Sequence, residues 1–294
     1  MPLAVLTIAF DPVLRLSETA SVRYETIAVA VVLLLGLVVA SRIGAITPVI
    51  GASPRTPGLP VDDLVFIAVG VVPGAILGAR LGYVLDHLDF YKSHPNSITD
   101  VSQGGLTLGL AVPFGILTGI LIARLLGAPV GRWMHALALP VLFVLGAGKL
   151  VGILGASGQG TPADLAWATA YQGPGPWASL GADVPAHPAQ AYEAIGIALA
   201  IALLWILTRI PGLLRREGAA LFVALALWAI VRLVVATTWR DPIVTTGLRM
   251  EQLLALAALL MGLLGFMVRR RARPPLLPDP PEPDPEIDVE ARLP

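Results

Sequence analysis

Apolar residues are grouped along this chain into long runs, each close to the length of a membrane-spanning helix. A helix needs about 20 residues to cross the roughly 30 Å of bilayer hydrocarbon. Seven windows of that kind occur, at about 25–41, 63–85, 105–126, 134–156, 189–209, 218–238 and 250–268. The pattern predicts an all-α, polytopic integral membrane protein with about seven transmembrane helices, in a single membrane domain over residues 1–273.

The composition agrees with a lipid environment and narrows the chemistry. Hydrophobic residues make up 56% of the 294 residues and charged residues 14%, whereas a soluble domain carries about 25% charged residues. Cysteine is absent, so the chain has no thiolate nucleophile or cysteine metal site of its own. The four histidines do not pair at metal-ligand spacing. We therefore expect no metal, no cofactor and no nucleic-acid partner.

Lysine and arginine are distributed unequally between alternate loops, which predicts the orientation of the chain. One set of loops with the C-terminal segment carries eleven of these residues, and the other set carries five. The first set is Arg42, Arg55, Arg124, Arg132, Arg209, Arg215, Arg216, Arg269, Arg270, Arg271 and Arg273, and the second is Arg15, Arg23, Lys92, Arg240 and Arg249. By the positive-inside rule the N-terminus lies outside and the C-terminus is cytoplasmic. Residues 274–294, rich in Pro, Asp and Glu, are predicted to form a disordered cytoplasmic tail.

The second window combines small residues with an embedded arginine. Three glycines spaced four apart, from Gly74 to Gly82, predict that another helix approaches closely. Arg80 and Tyr83 share one helical face. Because a cation inside a membrane is costly, Arg80 either binds an anion in an interior cavity or extends to the interface and pairs with a nearby aspartate.

Two further cations and one carboxylate lie inside later windows. Lys149 is surrounded by glycines but lacks the eight-residue pattern of a phosphate loop. Arg232 has no acidic residue three or four positions away, so it needs an anion on another helix, such as Glu193, or on a ligand. Glu193 itself is either an ion-pair partner or a functional acid. Together with Arg80 these residues predict an interior polar cavity, open to the outer side, that binds a lipid phosphate.

An ordered series of motifs runs through these windows from Phe10 to Met267. It comprises Gly78-Ala79-Arg80-Leu81-Gly82-Tyr83-Val84, Gly104-Gly105-Leu106-Thr107, Gly148-Lys149 through Gly160, His187-Pro188-Ala189-Gln190-Ala191-Tyr192-Glu193, Arg232, Arg240-Asp241-Pro242, and Gly247-Leu248-Arg249-Met250-Glu251-Gln252. This series resembles the prolipoprotein diacylglyceryl transferase family.

The resemblance implies a specific reaction and a set of site residues. Members of that family transfer a diacylglyceryl group from phosphatidylglycerol to the lipobox cysteine of prolipoproteins, and release glycerol phosphate. The implied setting is the outer face of the bacterial cytoplasmic (inner) membrane, with phosphatidylglycerol, membrane lipid and a prolipoprotein signal peptide as partners. The implied catalytic residues are Arg232, Lys149, His187 and Glu193, and the implied headgroup-binding residues are Arg80, Tyr83, Gly104, Gly160 and Arg240.

The chain departs from the family pattern at several functional positions. Gly109, Gly152, Ser157 and Ala236 stand where the family carries His, Asn, Glu and Glu, and Lys149 stands where it carries Arg. Two interpretations follow. Either the chain is an active transferase that uses other acid–base groups, such as His187, Glu193 or Glu25, or it binds phospholipid or a protein partner without transfer.

Overall fold

The structure is a computed structural model that describes residues 5–18, 20–47, 58–99, 105–173, 177–178, 184–214, 216–241, 243–245 and 247–271. Gly104 and the predicted tail at 274–294 lie outside the described residues.

Seven helices in the described part of the chain are long and apolar enough to cross a membrane. They confirm the predicted polytopic, mainly helical architecture of a multi-pass membrane protein. The long helices are α1 (Tyr24–Ile46), α2 (Val61–Asp86), α4 (Leu108–Leu125), α5 (Val130–Val151), α6 (Ala189–Arg209), α7 (Ala219–Val235) and α8 (Met250–Arg271), and a short helix α3 spans Leu88–Ser93. Tighter helical turns extend α5 to Gly155 and α7 to Thr238.

The fourth span begins four residues earlier than its apolar window predicts. Arg132 closes the window in the sequence, but in the structure its Nε donates a 2.8 Å hydrogen bond to the Glu217 carboxylate. Because a paired arginine near a helix end is tolerated, α5 continues back to Val130. Hydropathy along the sequence contains no information about the pairing of Arg132 with Glu217.

In the loops that the structure describes, three small two-stranded sheets accompany the helices. β1 (Leu6–Ala9) pairs in parallel with β4 (Thr169–Gln172), β2 (Val13–Arg15) pairs antiparallel with β3 (Ser21–Arg23), and β5 (Ile243–Thr245) pairs antiparallel with β6 (Leu248–Arg249). The first sheet connects the segment before α1 to the long α5–α6 loop. Strands of two to four residues have too little periodicity to be predicted from the sequence.

Helices α2 and α4 pack at very close range, as the spaced glycines predict. A Cβ atom added at Gly74, Gly78 or Gly82 would overlap Thr118, the Leu110 carbonyl or Thr107, respectively. At these positions the α2 backbone itself contacts residues of α4 and of the segment just before it. This contact places the N-terminal end of α4 beside the C-terminal end of α2.

The interior of the bundle lies between α5, α6 and α7. Leu142, Ile197, Leu204 and Ala229 have no exposed surface, and Trp228 has 1%. The antiparallel arrangement brings the C-terminal ends of α5 and α7 to the N-terminal ends of α4 and α8. Polar residues gather at this end of the bundle.

Candidate functional site

Four charged side chains from four helices form one buried ion-pair network. Glu193 Oε2 lies 2.9 Å from Lys149 Nζ, and Glu193 Oε1 accepts a 3.0 Å hydrogen bond from Arg232 Nη1. Arg232 Nη2 donates a 2.7 Å hydrogen bond to Glu251 Oε2. The anion that Arg232 requires is therefore on another helix, and there are two such anions. Glu193 was an expected partner, whereas Glu251 was not.

The network is enclosed, so its charges must compensate one another. Arg232 is 2% exposed and Glu193 has no exposed surface, and an unpaired ion at such a depth costs several kcal/mol. Positive and negative groups alternate from Lys149 to Glu251. The Trp239 ring covers the cations, with its centroid 4.5 Å from Arg232 Cζ and 5.3 Å from Lys149 Nζ, which adds cation–π attraction.

A polar cavity of about 530 Å³ adjoins this network at the end of the bundle. Its walls come from α1, α4, α5, α7, α8 and the two loops that follow α5 and α7. It is lined by Val29, Leu106, Thr107, Leu108, Val144, Leu145, Gly148, Lys149, Gly152, Ser157, Gly158, Gln159, Arg232, Trp239, Arg240, Asp241 and Glu251. Cations, carboxylates and apolar side chains therefore share the wall of this cavity.

The three cations of this cavity differ in accessibility. The Lys149 side chain is 19% exposed, and Arg240 is exposed, with Nη2 donating a 3.2 Å hydrogen bond to the Ala178 carbonyl. Arg232 is enclosed and has both Nη atoms in ion pairs. An anion that enters the cavity therefore meets Lys149 and Arg240, while Arg232 lies behind Lys149 and shares its partner Glu193.

Arg80 and Tyr83 lie in a different place from the one the sequence suggests. They line a separate pocket of about 300 Å³ with Tyr91 and Gly105. Arg80 Nε and Nη2 donate hydrogen bonds of 2.8 and 2.5 Å to the carbonyls of Ile98 and Ser97, and Nη1 donates one of 3.3 Å to Gly105. Arg80 therefore lies outside the cavity that Lys149 and Arg232 line, and its hydrogen bonds connect α2 to the α3–α4 segment. The headgroup-binding role of Arg80 and Tyr83 stays a prediction.

His187 and Gly160 hold loops together and do not line the cavity. His187 Nδ1 lies 3.3 Å from the Tyr192 hydroxyl, which also accepts a 2.7 Å hydrogen bond from Trp167 Nε1. Gly160 N donates a 2.8 Å hydrogen bond to the His187 carbonyl. A Cβ atom at Gly160 would overlap the Thr238 carbonyl, so the close backbone approach at this glycine is to the protein itself.

Two carboxylates stand beside positions where the chain departs from the family pattern. A Cβ atom at Gly109 would lie 2.7 Å from Glu251 Oε2. Ser157 Oγ donates a hydrogen bond to Glu25 Oε1. Both glutamates begin an apolar helix, and an acidic residue at the edge of an apolar window is the sequence signal that could have indicated Glu251.

Asp241 is the cavity carboxylate that lies outside the spanning segments, just beyond α7. Burial raises its pKa, and the nearby Glu251 raises it further, while Arg249 and Arg232 lower it by less. An Arg249 Nη1 hydrogen bond to the Asp241 carbonyl holds this turn in place.

The raised pKa of Asp241 predicts a pH-dependent stability difference. Between the ordinary aspartate pKa of about 3.9 and the higher folded value, the unfolded chain is ionised while the folded protein keeps the proton. The contribution of Asp241 to the free energy of unfolding is therefore fully present below about pH 3.9. It is lost as the pH rises through the pKa of the folded state. Melting curves in detergent should show Asp241→Asn gaining stability over wild type towards neutral pH. A constant stability difference between Asp241→Asn and wild type across this pH range would contradict the assignment.

Comparison with known proteins agrees with the geometry. Residues 12–268 match the family model described as prolipoprotein diacylglyceryl transferase. The phosphatidylglycerol–prolipoprotein diacylglyceryl transferase of Methylocella silvestris is 31% identical, over 93% of this chain and 100% of the relative. Those of Beijerinckia indica subsp. indica and Geobacter sulfurreducens are each 32% identical, over 94% and 75% of this chain and 99% and 84% of the relatives. The chain, with its seven spanning helices and polar cavity, therefore belongs to the prolipoprotein diacylglyceryl transferase family.

Proposed function

We propose that this protein transfers a diacylglyceryl group from phosphatidylglycerol to the lipobox cysteine of a prolipoprotein and releases glycerol phosphate. The proposal places the reaction in the bacterial cytoplasmic (inner) membrane, with the cavity at its outer side. The observation that carries the proposal is the meeting of Lys149, Arg232 and Arg240 around one cavity among spanning helices. Relatives similar over nearly the whole chain are named for this reaction.

The reaction exchanges a carbon–oxygen bond for a carbon–sulfur bond. The cysteine sulfur attacks the glyceryl carbon that carries the phosphate, and the electrons of the breaking bond leave on the phosphate oxygen. Fixed cations aimed at that developing charge lower the barrier, because they need no reorganisation during the reaction. We assign the phosphate contact to Lys149 and Arg240, the cations that an entering anion can reach.

The thiol proton needs an acceptor, since the thiolate is the nucleophile. Asp241 and Glu251 are the carboxylates that line the cavity, while Glu193 is fully enclosed between two cations. We assign the thiol proton to Asp241, because its raised pKa makes its carboxylate a stronger base than that of an ordinary aspartate. His187 stays a sequence prediction, since its ring contacts Tyr192 and does not line the cavity.

A reconstituted transfer assay tests the proposal. Purified protein in vesicles with labelled phosphatidylglycerol and a lipobox peptide should produce labelled peptide. Lys149→Met should lower the rate by about 10²- to 10³-fold, the typical cost of one group that stabilises transition-state charge. Lys149→Arg should retain more activity, and Lys92→Met, at the other lysine of the chain, should change nothing because that side chain is 70% exposed.

A specific observation favours a second candidate, a lipid-binding protein without transfer. Glu193 and Glu251 already neutralise the two embedded cations, and Gly109, Gly152 and Ala236 carry no acid–base group. This candidate predicts that folded wild-type protein binds phosphatidylglycerol and the peptide but yields no labelled product above background. That result would overturn the transferase proposal.

A further inference from the structure

A groove with two arginines lies at the end of the bundle opposite to the polar cavity. Its volume is about 640 Å³, and its exposed lining residues belong to α4 and α8, whereas those of α5 and α7 are buried or half-buried. Arg124, near the end of α4, and Arg269, near the end of α8, line it. The other ten lining residues have no charged or polar side chain. This α4–α8 groove is therefore apolar along its walls and basic at one end.

The two arginines of the groove carry charges that no carboxylate of the described residues pairs with. Arg269 Nε donates a 2.8 Å hydrogen bond to the backbone carbonyl of Glu217, while the Glu217 carboxylate pairs with Arg132 Nε at 2.8 Å. Arg124 is exposed. Because the residues that line the groove include no acidic side chain, its basic end is complementary to an anion.

The apolar part of the groove has about the length of one lipid leaflet. Along α8 the lining residues run from Ala257 to Arg269, a distance of about 18 Å at the helix rise of 1.5 Å per residue. One leaflet contributes about 15 Å to the bilayer hydrocarbon. Since Arg269 lies near the end of α8 and Ala257 near its middle, the basic end meets the membrane surface and the apolar part extends towards the bilayer centre.

We propose that the α4–α8 groove binds an anionic phospholipid, with Arg124 and Arg269 on its phosphate and one acyl chain along α8. Guanidinium groups bind phosphate through paired hydrogen bonds, and basic pockets between spanning helices on the cytoplasmic side bind anionic lipid headgroups. The predicted orientation places this end of the bundle at the cytoplasmic surface. The lipid of the groove is therefore a different molecule, in the other leaflet, from any lipid that enters the polar cavity.

Other occupants fit the groove less well. An extended peptide would leave its backbone groups unpaired against ten apolar residues, whereas an acyl chain has no such groups. A spanning helix of another protein, or of a second copy of this chain, would bring its own cytoplasmic lysines and arginines to the same end. Those cations would repel Arg124 and Arg269, which a lipid phosphate would neutralise.

A lipid in this groove would connect two helices that also build the polar cavity. At the cavity end α4 and α8 approach each other directly, since a Cβ atom at Gly109 would lie 2.7 Å from Glu251 Oε2. At the other end the groove is lined by both helices. A lipid that binds only the folded protein stabilises it, so phosphatidylserine added to protein in detergent should raise the apparent melting temperature more than phosphatidylcholine does.

Competition between phosphatidylserine, which is anionic, and phosphatidylcholine, which is zwitterionic, tests the inference by native mass spectrometry of the full chain. Wild type should retain phosphatidylserine in preference. Arg124→Met and Arg269→Met should each lower that preference by about fivefold, the effect of one basic residue at a membrane surface. Arg209→Met is the matched control, because this exposed arginine lies at the same end of the bundle, over the Trp205 ring and outside the groove. It should leave the preference unchanged.

A second pair of variants tests the apolar wall. Leu264 lines the groove, and its neighbour Leu263 does not, although both side chains are exposed on α8. Leu264→Trp should fill part of the groove and lower the amount of bound phosphatidylserine, whereas Leu263→Trp should leave it at the wild-type level. Because both residues are exposed, neither change disturbs the interior of the bundle.

An equal loss in Arg209→Met would attribute the preference to the general charge of this membrane face and overturn the inference, as would equal retention of the two lipids by wild type. A measurement on wild-type protein does not depend on the folding of variants: phosphatidylserine with a diazirine in its acyl chain should crosslink to Leu260 or Leu264. Crosslinks confined to residues outside the groove, such as Leu263, would also overturn the inference. None of these readouts uses transfer or phosphatidylglycerol, so their outcome is independent of the proposed function.

Discussion

Arg232→Met is expected to destabilise the protein by about 3–5 kcal/mol and to abolish transfer. The substitution leaves the Glu251 carboxylate buried without the 2.7 Å partner that it has in the wild type, and removes one of two cations from Glu193. Breaking a buried ion pair on one side costs that much because the remaining charge stays uncompensated. Apparent melting temperature and denaturant unfolding in detergent measure the loss.

A double substitution separates the role of Arg232 in the ion pairs from the packing of its side chain. Arg232→Met with Glu251→Gln removes both the cation and the orphaned charge, so it should be less destabilised than Arg232→Met alone. Arg209→Met is the matched control, because that exposed guanidinium lies over the Trp205 ring at the opposite end of the bundle, and it should cost about 0–1 kcal/mol. Equal losses in Arg232→Met and Arg209→Met would refute the network as a stabilising element.

Gly78→Ala is expected to destabilise the protein by about 2–3 kcal/mol, the second large effect. The added methyl would overlap the Leu110 carbonyl and lie 2.7 Å from Phe114 Cβ, so α2 and α4 must separate. Gly148→Ala is the matched control, since a Cβ built there meets no atom of the described residues within 4 Å apart from its own helix backbone and its chain neighbours. Because alanine favours helix over glycine by about 1 kcal/mol, Gly148→Ala should be neutral or stabilising. Unfolding in detergent should therefore show a loss of stability for Gly78→Ala alone, and an equal loss in both variants would contradict the packing argument.

The membrane architecture follows from local sequence alone. The hydropathy that predicts a spanning helix is summed over about 20 neighbouring residues. Each window, from 25–41 to 250–268, can therefore be recognised without reference to the rest of the chain. The glycine spacing from Gly74 to Gly82 is equally local, and the close α2–α4 contact confirms it. Where the boundaries differ, as at Val130, the cause is a partner distant in sequence: Glu217 neutralises Arg132 across the fold.

The candidate site cannot be predicted in the same way, because the role of a charged side chain in the membrane depends on the groups that it pairs with. Embedded cations at 80, 149 and 232 look alike in the sequence. The structure separates them: Arg80 bonds to loop carbonyls, and Arg232 pairs with two glutamates on α6 and α8. Nothing in the spacing from Arg232 to Glu251 indicates a contact, since each residue lies on its own helix.

By itself, the sequence determined the seven spanning helices, the embedded charges that require partners, and the motifs shared with the transferase family. Only the tertiary structure decided which charges meet, that Lys149 and Arg240 rather than Arg80 face the polar cavity, and that Arg124 and Arg269 line one groove. The physical reason is range. Burial in lipid is set by neighbours along the chain, whereas ion pairs and cavities are set by helices that the fold brings together.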